Sequence, residues 1–304
     1  MVLKLIRKGV LLCALLIVFY IAANFVLAWR AFESGHKSLG NEDFNAAIVS
    51  FSNAIRYNPW MEAAYSQRAY AHSSLGNFER AIADCNEAIR INKDCVSAYN
   101  NRGCAYQSMY YLDEAIADFT AAIRLEPGSA LSYNNRGDAY RANWELEKAF
   151  ADFSKAIEID SQFAKAFSNR GLAFELQGDM KKAFADYETA IRLDPDHTLA
   201  YNNRGVAYTR EGRLDLAMVD LNKSILLHPK TPNSYVNRAC IYIRRGEFDK
   251  AFADCNEAIQ RDPKFVGAYF TWLEAYIRNG AGGGVAQFAR KPGSQEARST
   301  IRVD

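Results

Sequence analysis

Between Thr198 and Thr231 the apolar and small positions fall into two helical patterns. Tyr201, Arg204, Gly205 and Tyr208 recur at i, i+3, i+4 and i+7, and Leu214, Ala217, Leu221, Ser224 and Ile225 repeat that periodicity after a short gap. Each run predicts one amphipathic helix with a single buried stripe. Gly212 between them predicts a tight turn. Pro229 ends the second helix, because His228 before it is biased away from the helical region.

The same pattern returns along the chain without a gap. Tyr65, Tyr99, Tyr133, Phe167, Tyr201, Tyr235 and Tyr269 stand 34 residues apart, as do Ala47, Ala81, Ala115, Ala149, Ala183, Ala217 and Ala251. Seven units result, 28–61, 62–95, 96–129, 130–163, 164–197, 198–231 and 232–265, and 266–280 predicts one further first helix. A two-helix unit cannot bury its own apolar face, so stacking on its neighbours supplies the core and stability sums over local and nearest-neighbour terms. The fold class is all-α, built of helix-turn-helix repeats over 28–280.

These columns resemble the tetratricopeptide repeat family in period and in the order of small and large positions, in the form that carries Asn-Arg-Gly at 101–103, 135–137, 169–171 and 203–205. Departures are few. Lys93 and Ser161 stand in place of the closing proline, Ala69 and Ala239 in place of the glycine, and Ser38 and His72 in place of the second aromatic. The resemblance implies a right-handed α-solenoid whose first helices line an inner, concave groove for protein segments.

The start of the chain has a different pattern. Lys4, Arg7 and Lys8 make residues 1–8 a short basic segment, and 9–29 then contains no charged side chain. At about 1.5 Å per residue such a run covers a ~30 Å hydrocarbon core and predicts one N-terminal transmembrane helix. A cleaved signal peptide is the competing reading, with small residues before Trp29. A signal-anchor is favoured because the apolar run exceeds a signal-peptide core of roughly 7–15 residues. The basic flank predicts a cytoplasmic N-terminus with the repeats outside the cytoplasm. The repeats begin at Ala28 with no linker, so span and first helix are expected to share a boundary, with Trp29 near the headgroups and Trp60 either beside it there or, as the preferred reading, in ordinary packing. At the other end, 281–304 is Gly-rich and expected to be mostly disordered. Phe270, Trp272 and Leu273 would leave an apolar edge where self-association is possible.

Composition adds exclusions. A net charge of +2 with interspersed signs gives no basic surface for nucleic acid. The six cysteines show no metal-ligand spacing; Cys85 and Cys255 stand in a column otherwise filled by Phe51, Phe119, Phe153, Tyr187 and Leu221 and read as buried. Unpaired thiols are the main objection to an oxidising compartment. No catalytic motif string occurs, so neither an enzyme, a cofactor, a metal nor a small-molecule substrate is expected.

Two polar columns remain. Arg68, Arg102, Arg136, Arg170, Arg204 and Arg238 are each followed 16 residues later by Asp84, Asp118, Asp152, Asp186, Asp220 and Asp254. Repeat one has Ser34 and Ser50 at these places, so both charges vanish together and pairing within a repeat is expected. Asn101, Asn135, Asn169, Asn203 and Asn237, with Gln67 before them, lie about 100° from the arginines, on the stripe with Arg141, Arg210 and Arg244. The resemblance places that stripe in the groove, where an amide can both donate to and accept from an extended peptide backbone. The alternative for these asparagines is that they cap or solvate the groove. The expected function is a non-catalytic, membrane-anchored interaction scaffold; the alternatives are a structural subunit of a membrane complex, or a secreted repeat protein.

Overall fold

The computed structural model describes residues 2–280; the expected disordered tail at 281–304 lies outside the described residues. The chain divides at Ser161 and Gln162 into two compact units. In unit 1, α1 (Val2–Gly40) runs unbroken from the apolar N-terminal stretch into the first repeat and pairs with α2 (Phe44–Tyr57). Three further pairs follow: α3 (Glu62–Ser74) with α4 (Phe78–Ile91), α5 (Val96–Ser108) with α6 (Leu112–Leu125), and α7 (Ala130–Ala142) with α8 (Leu146–Ile159). Asp43 caps α2 by accepting from the Ala46 amide at 3.0 Å, satisfying one of the donors that a helix start leaves open.

Unit 2 repeats the pairing with α9 (Ala164–Gln177) and α10 (Met180–Leu193), α11 (Thr198–Arg210) and α12 (Leu214–Leu227), and α13 (Pro232–Arg244) and α14 (Phe248–Arg261). The last helix, α15 (Val266–Arg278), packs on α13 and α14. Pro232 opens α13, where its missing N–H costs nothing. Among the described residues there are fifteen helices and no strand, a helix-turn-helix solenoid fold.

A close approach of the two helices organises each repeat. A Cβ built on Gly103 would fall 2.7 Å from the Phe119 ring, and one on Gly137, Gly171 or Gly205 would fall 2.9 Å from Phe153, Tyr187 or Leu221. A large side chain thus occupies the volume that a glycine leaves open 16 residues earlier. Where the glycine is Ala69 or Ala239, the facing residue shrinks to Cys85 or Cys255, and each pair is buried in one cluster. One methyl is gained on the first helix and a ring is exchanged for a thiol on the second, so packed volume stays nearly level.

The turn between the helices of a repeat needs a left-handed residue, and Gly212 supplies it at φ +76°. Glu42, Tyr110 and Trp144 hold the same turn position at φ 57°, 63° and 61°, each at a cost of about 1 kcal/mol. Tyr110 and Trp144 are 82% and 73% exposed, so packing does not repay that cost.

Two expectations about tryptophans are corrected. Trp60 does not pack into the core; it is 69% exposed, because it sits in the loop after α2 rather than on a helix face. Trp272 is not part of an open apolar edge, since its ring lies 5.1 Å from Phe252 and stacks on Tyr276. The exposed apolar side chains of α15 are Phe270, Leu273 and Ile277.

The volume exchange gives a two-variant test. Cys85→Phe should lower stability by about 1–3 kcal/mol, because its ring meets the Ala69 methyl. Adding Ala69→Gly should restore most of that loss in urea melts. Equal melts for the single and double variants would show that the two positions do not share one volume.

Candidate functional site

The first helices carry two polar faces about a quarter turn apart. On one, the six arginines each meet the aspartate of the same repeat with two parallel N–H to oxygen bonds of 2.6–2.9 Å. The pairs are Arg68–Asp84, Arg102–Asp118, Arg136–Asp152, Arg170–Asp186, Arg204–Asp220 and Arg238–Asp254. The aspartates are buried and the guanidinium edges reach solvent. Such two-pronged pairing is the strong form of the interaction. For Arg68, Arg102, Arg136, Arg204 and Arg238 the bonds to aspartate raise the guanidinium pKa further, against the opposing effect of burial.

These arginines do more than close an ion pair. Arg136 lies over the rings of Tyr133 and Tyr140, and Arg204 over Tyr201 and Tyr208, at 5.7–5.9 Å. In four of the six the remaining donor points back to the second helix of the preceding repeat. Arg68 donates to Ser52 at 3.0 Å, Arg102 to Asn86 at 2.5 Å, Arg136 to Thr120 at 3.2 Å and Arg238 to Asn222 at 2.6 Å. One guanidinium thus ties three helices. Sequence reasoning missed this third contact, although its signal was present: a hydroxyl or amide stands 16 residues before each of those arginines. In repeat one the Ser34 and Ser50 hydroxyls meet at 3.3 Å, a neutral bond in the place of the charged one.

The asparagine column lies on the other face and is engaged within the fold. Asn101 Nδ2 donates to the Ser66 carbonyl at 2.9 Å, and Asn237 Nδ2 donates to Asn202 Oδ1 at 2.9 Å, each contact joining consecutive first helices. Asn135 is buried, with its Nδ2 3.8 Å from Cys104 Sγ, and Asn203 accepts a 3.5 Å bond from Asn202. Asn169 and Gln67 are half-buried on the same face. A helix-axis offset of one repeat brings the amides of Asn101, Asn135 and Asn237 within reach of the first helix before them. The sequence showed the column but not this reach.

Further along that face the two units differ. In unit 1 Asp138 binds Arg141 at 2.6 Å and takes a bond from Gln107 at 2.7 Å, closing the polar groups on one another. In unit 2 Arg210, Arg244 and Arg278 end three successive first helices, all exposed. Arg244 donates to the Thr209 carbonyl at 2.6 Å, and Arg278 pairs with Glu274 at 2.9 Å. Arg210 Nη1 lies 2.5 Å from buried Glu175 Oε1 but is not aligned for a hydrogen bond, while Tyr187 donates to the other Glu175 oxygen at 2.7 Å. That cluster was also missed. Its signal is Tyr187, a hydroxyl-bearing ring in a column of Phe51, Phe119 and Phe153.

Burial accounts for the thiols and one imidazole. It pushes the Cys85 thiol well up and the Cys255 thiol to about 12, leaving both protonated. It lowers the His72 pKa, whose Nδ1 is buried without a partner. Among the described residues no group of three or more His, Cys, Asp or Glu side chains is arranged to hold a metal ion.

Family models of the tetratricopeptide repeat match residues 62–95, 96–129, 164–197, 186–218 and 232–265, and one described as TPR repeat matches 137–178. No curated protein matches the chain by sequence. Among solved structures it is similar to a tetratricopeptide repeat protein from Parabacteroides merdae, at 19% identity and a TM-score of 0.66 over 82% of this chain and 98% of that one. It is similar to a chain of the APC/C hetero-tetramer Cut9-Hcn1, at 16% identity and a TM-score of 0.65 over 84% of this chain and 54% of that one. It is also similar to PilF of Pseudomonas aeruginosa, at 17% identity and a TM-score of 0.54 over 70% and 97%. At these identities the likeness is one of fold.

The three-helix arginine contact yields a ranking. Asp152→Ala should cost about 3 kcal/mol, because it strands a guanidinium held by Thr120 and two tyrosines. Arg136→Leu combined with Asp152→Ala should cost less than Asp152→Ala alone in urea melts. A double variant no more stable than the single would mean that the charge is relieved by solvent rather than by its partner.

Proposed function

Since the chain is a tetratricopeptide repeat protein, we propose that it is a non-catalytic, membrane-anchored scaffold that holds an extended protein segment along its first-helix faces. The observation that carries the reading is a stripe in unit 2. Asn203 and Arg210, and Asn237 and Arg244, stand seven residues apart on α11 and α13, on one helix face and about 10 Å apart along it. Arg278 continues the arginine column on α15. Each guanidinium has five N–H donors, so holding one internal acceptor leaves donors for another. The repeat spacing then presents the same donor set to successive stretches of an extended, acceptor-rich chain. In unit 1 the places of Arg210 and Arg244 are taken by Ser74, Ser108 and Ala142, which carry no charge, and this favours unit 2 as the gripping surface.

The anchor in this reading is the start of α1. The most apolar 18-residue stretch of the helix from Leu15 onward has a mean hydropathy of 1.9 and is almost wholly exposed, so its apolar side chains need a solvent other than water. With Lys4, Arg7 and Lys8 ahead of it, the N-terminus lies in the cytoplasm and the repeats lie outside it. Burial of Cys85 and Cys255 as protonated thiols makes that compartment tolerable for them.

Two measurements address the two halves of this reading. After alkaline carbonate washing the chain should stay in the membrane fraction with a mass that includes Met1–Ala28; a soluble chain beginning at Trp29 would show cleavage instead. A photo-crosslinking residue at Asn203 should capture a protein partner in native membranes, whereas one at exposed Val219 on α12 should not. Equal capture at both positions would place the partner off the proposed stripe.

A further inference from the structure

We propose that the loop edge between the first two repeats of unit 1 rests in the phospholipid headgroup zone, with the Trp29 and Trp60 side chains as its interfacial contacts. The inference rests on the reading of α1 as a membrane anchor and adds a lipid-binding edge to it.

The register of α1 against α2 sets the height of this edge. Residues 41–43 turn the chain back so that α1 and α2 run antiparallel, and the contacts of Ser34 with Ser50 and of Gly35 with Phe51 set their level, so each step toward the end of α2 is a step back toward the start of α1. Tyr57, the last residue of α2, therefore comes level with Leu27 and Ala28. The loop that carries Trp60 follows Tyr57 and continues past that level, toward Asn24 and Phe25. Asn24 brings an uncharged amide to that level, and Phe25, Val26 and Leu27 after it all face outward as part of the exposed apolar stretch of α1. Trp60 is thus at least as deep as Trp29, one helical turn from the end of the apolar stretch.

Side-chain chemistry agrees with that height. Trp29 is 50% exposed, its indole N–H donating to Glu33 at 2.9 Å, and the largely exposed ring of Trp60 has the Arg90 guanidinium over it at 5.8 Å. An indole with an apolar body and a polar tip is favoured at the boundary between hydrocarbon and water. Arg30 next to Trp29 in the chain, Arg56 in the last turn of α2 and Arg90 over the Trp60 ring are exposed and suit lipid phosphate. Glu33 and Glu87 offset part of that charge, Glu87 binding Arg90 at 2.9 Å, so the edge suits zwitterionic lipid and does not require an anionic surface. The exposed Trp144 lies at the opposite ends of the helices, in the turn between α7 and α8, and provides an internal control.

The test uses the full chain in phosphatidylcholine vesicles, with acyl chains brominated just below the headgroup or left unmodified. One variant keeps only Trp60 (Trp29→Phe, Trp144→Phe, Trp272→Tyr), and another keeps only Trp144 (Trp29→Phe, Trp60→Phe, Trp272→Tyr). Circular dichroism melts select variants that fold as the parent does. Brominated lipid should quench Trp60 emission roughly twofold and leave Trp144 emission unchanged. Unquenched Trp60 in a chain that floats with the vesicles would overturn the edge and leave the anchor standing. Equal quenching of both tryptophans would overturn it as general adhesion. A chain that fails to float with the vesicles would overturn anchor and edge together.

Discussion

Every repeat depends on one steric allowance, a volume shared between its two helices: in five of the seven, a side chain on the second helix fills the space that a missing Cβ leaves on the first, and in the other two an alanine faces a cysteine. The rings of Phe119, Phe153 and Tyr187 occupy that space opposite Gly103, Gly137 and Gly171. Because helices this close interlock at one offset only, the allowance fixes the 16-residue register that the polar pairs share. Arg102 reaches Asp118, and Ser34 reaches Ser50, because the helices are already held there. The ion pair is a consequence of the packing, and its net worth is the smaller for having two charges to desolvate.

What the arginine adds is a link between repeats. Steric fit holds two helices of one unit, whereas the guanidinium, gripped by its own aspartate and flanked by aromatic rings, passes a remaining donor to the helix before it. Stability in such an array is the sum of unit and interface contributions. The asparagines Asn101 and Asn237 make a second interface bond on the other face, so polar residues that recur from the second repeat onward also serve as couplings between neighbours. The stripe of Arg210, Arg244 and Arg278 stands apart, because its charges reach solvent.

Much of this was legible in the residues alone, for a physical reason. The period, the two helices per repeat and the 16-residue offset of arginine and aspartate follow from side-chain size and charge, which recur in fixed columns. The exchange of Gly and Phe for Ala and Cys at 69 and 85 was visible as two departures, and only the helix contact joins them. The bonds made by Asn101 and Asn237 were not legible, since an amide can turn to a partner or to a neighbouring helix, and the axial offset between helices decides. Trp60 was misplaced because size predicts burial, while its position in a loop predicts exposure. The positive φ of Tyr110 and Trp144 went unseen because glycine at the same turn elsewhere concealed that the geometry is demanded of any residue there.

The unbroken course of α1 has a mechanical meaning. Its 39 residues make a rod on the order of 58 Å long, fixed at one end by packing against α2 and apolar at the other. A hydrophobic helix tilts to match the thickness of the bilayer that holds it. Were the start of α1 the membrane anchor proposed above, its tilt would, without a flexible joint, be a tilt of the first repeat through the same angle, and a thicker or thinner membrane would reorient unit 1 rather than merely loosen its tether. Lipid composition would then act on this protein as a steering input.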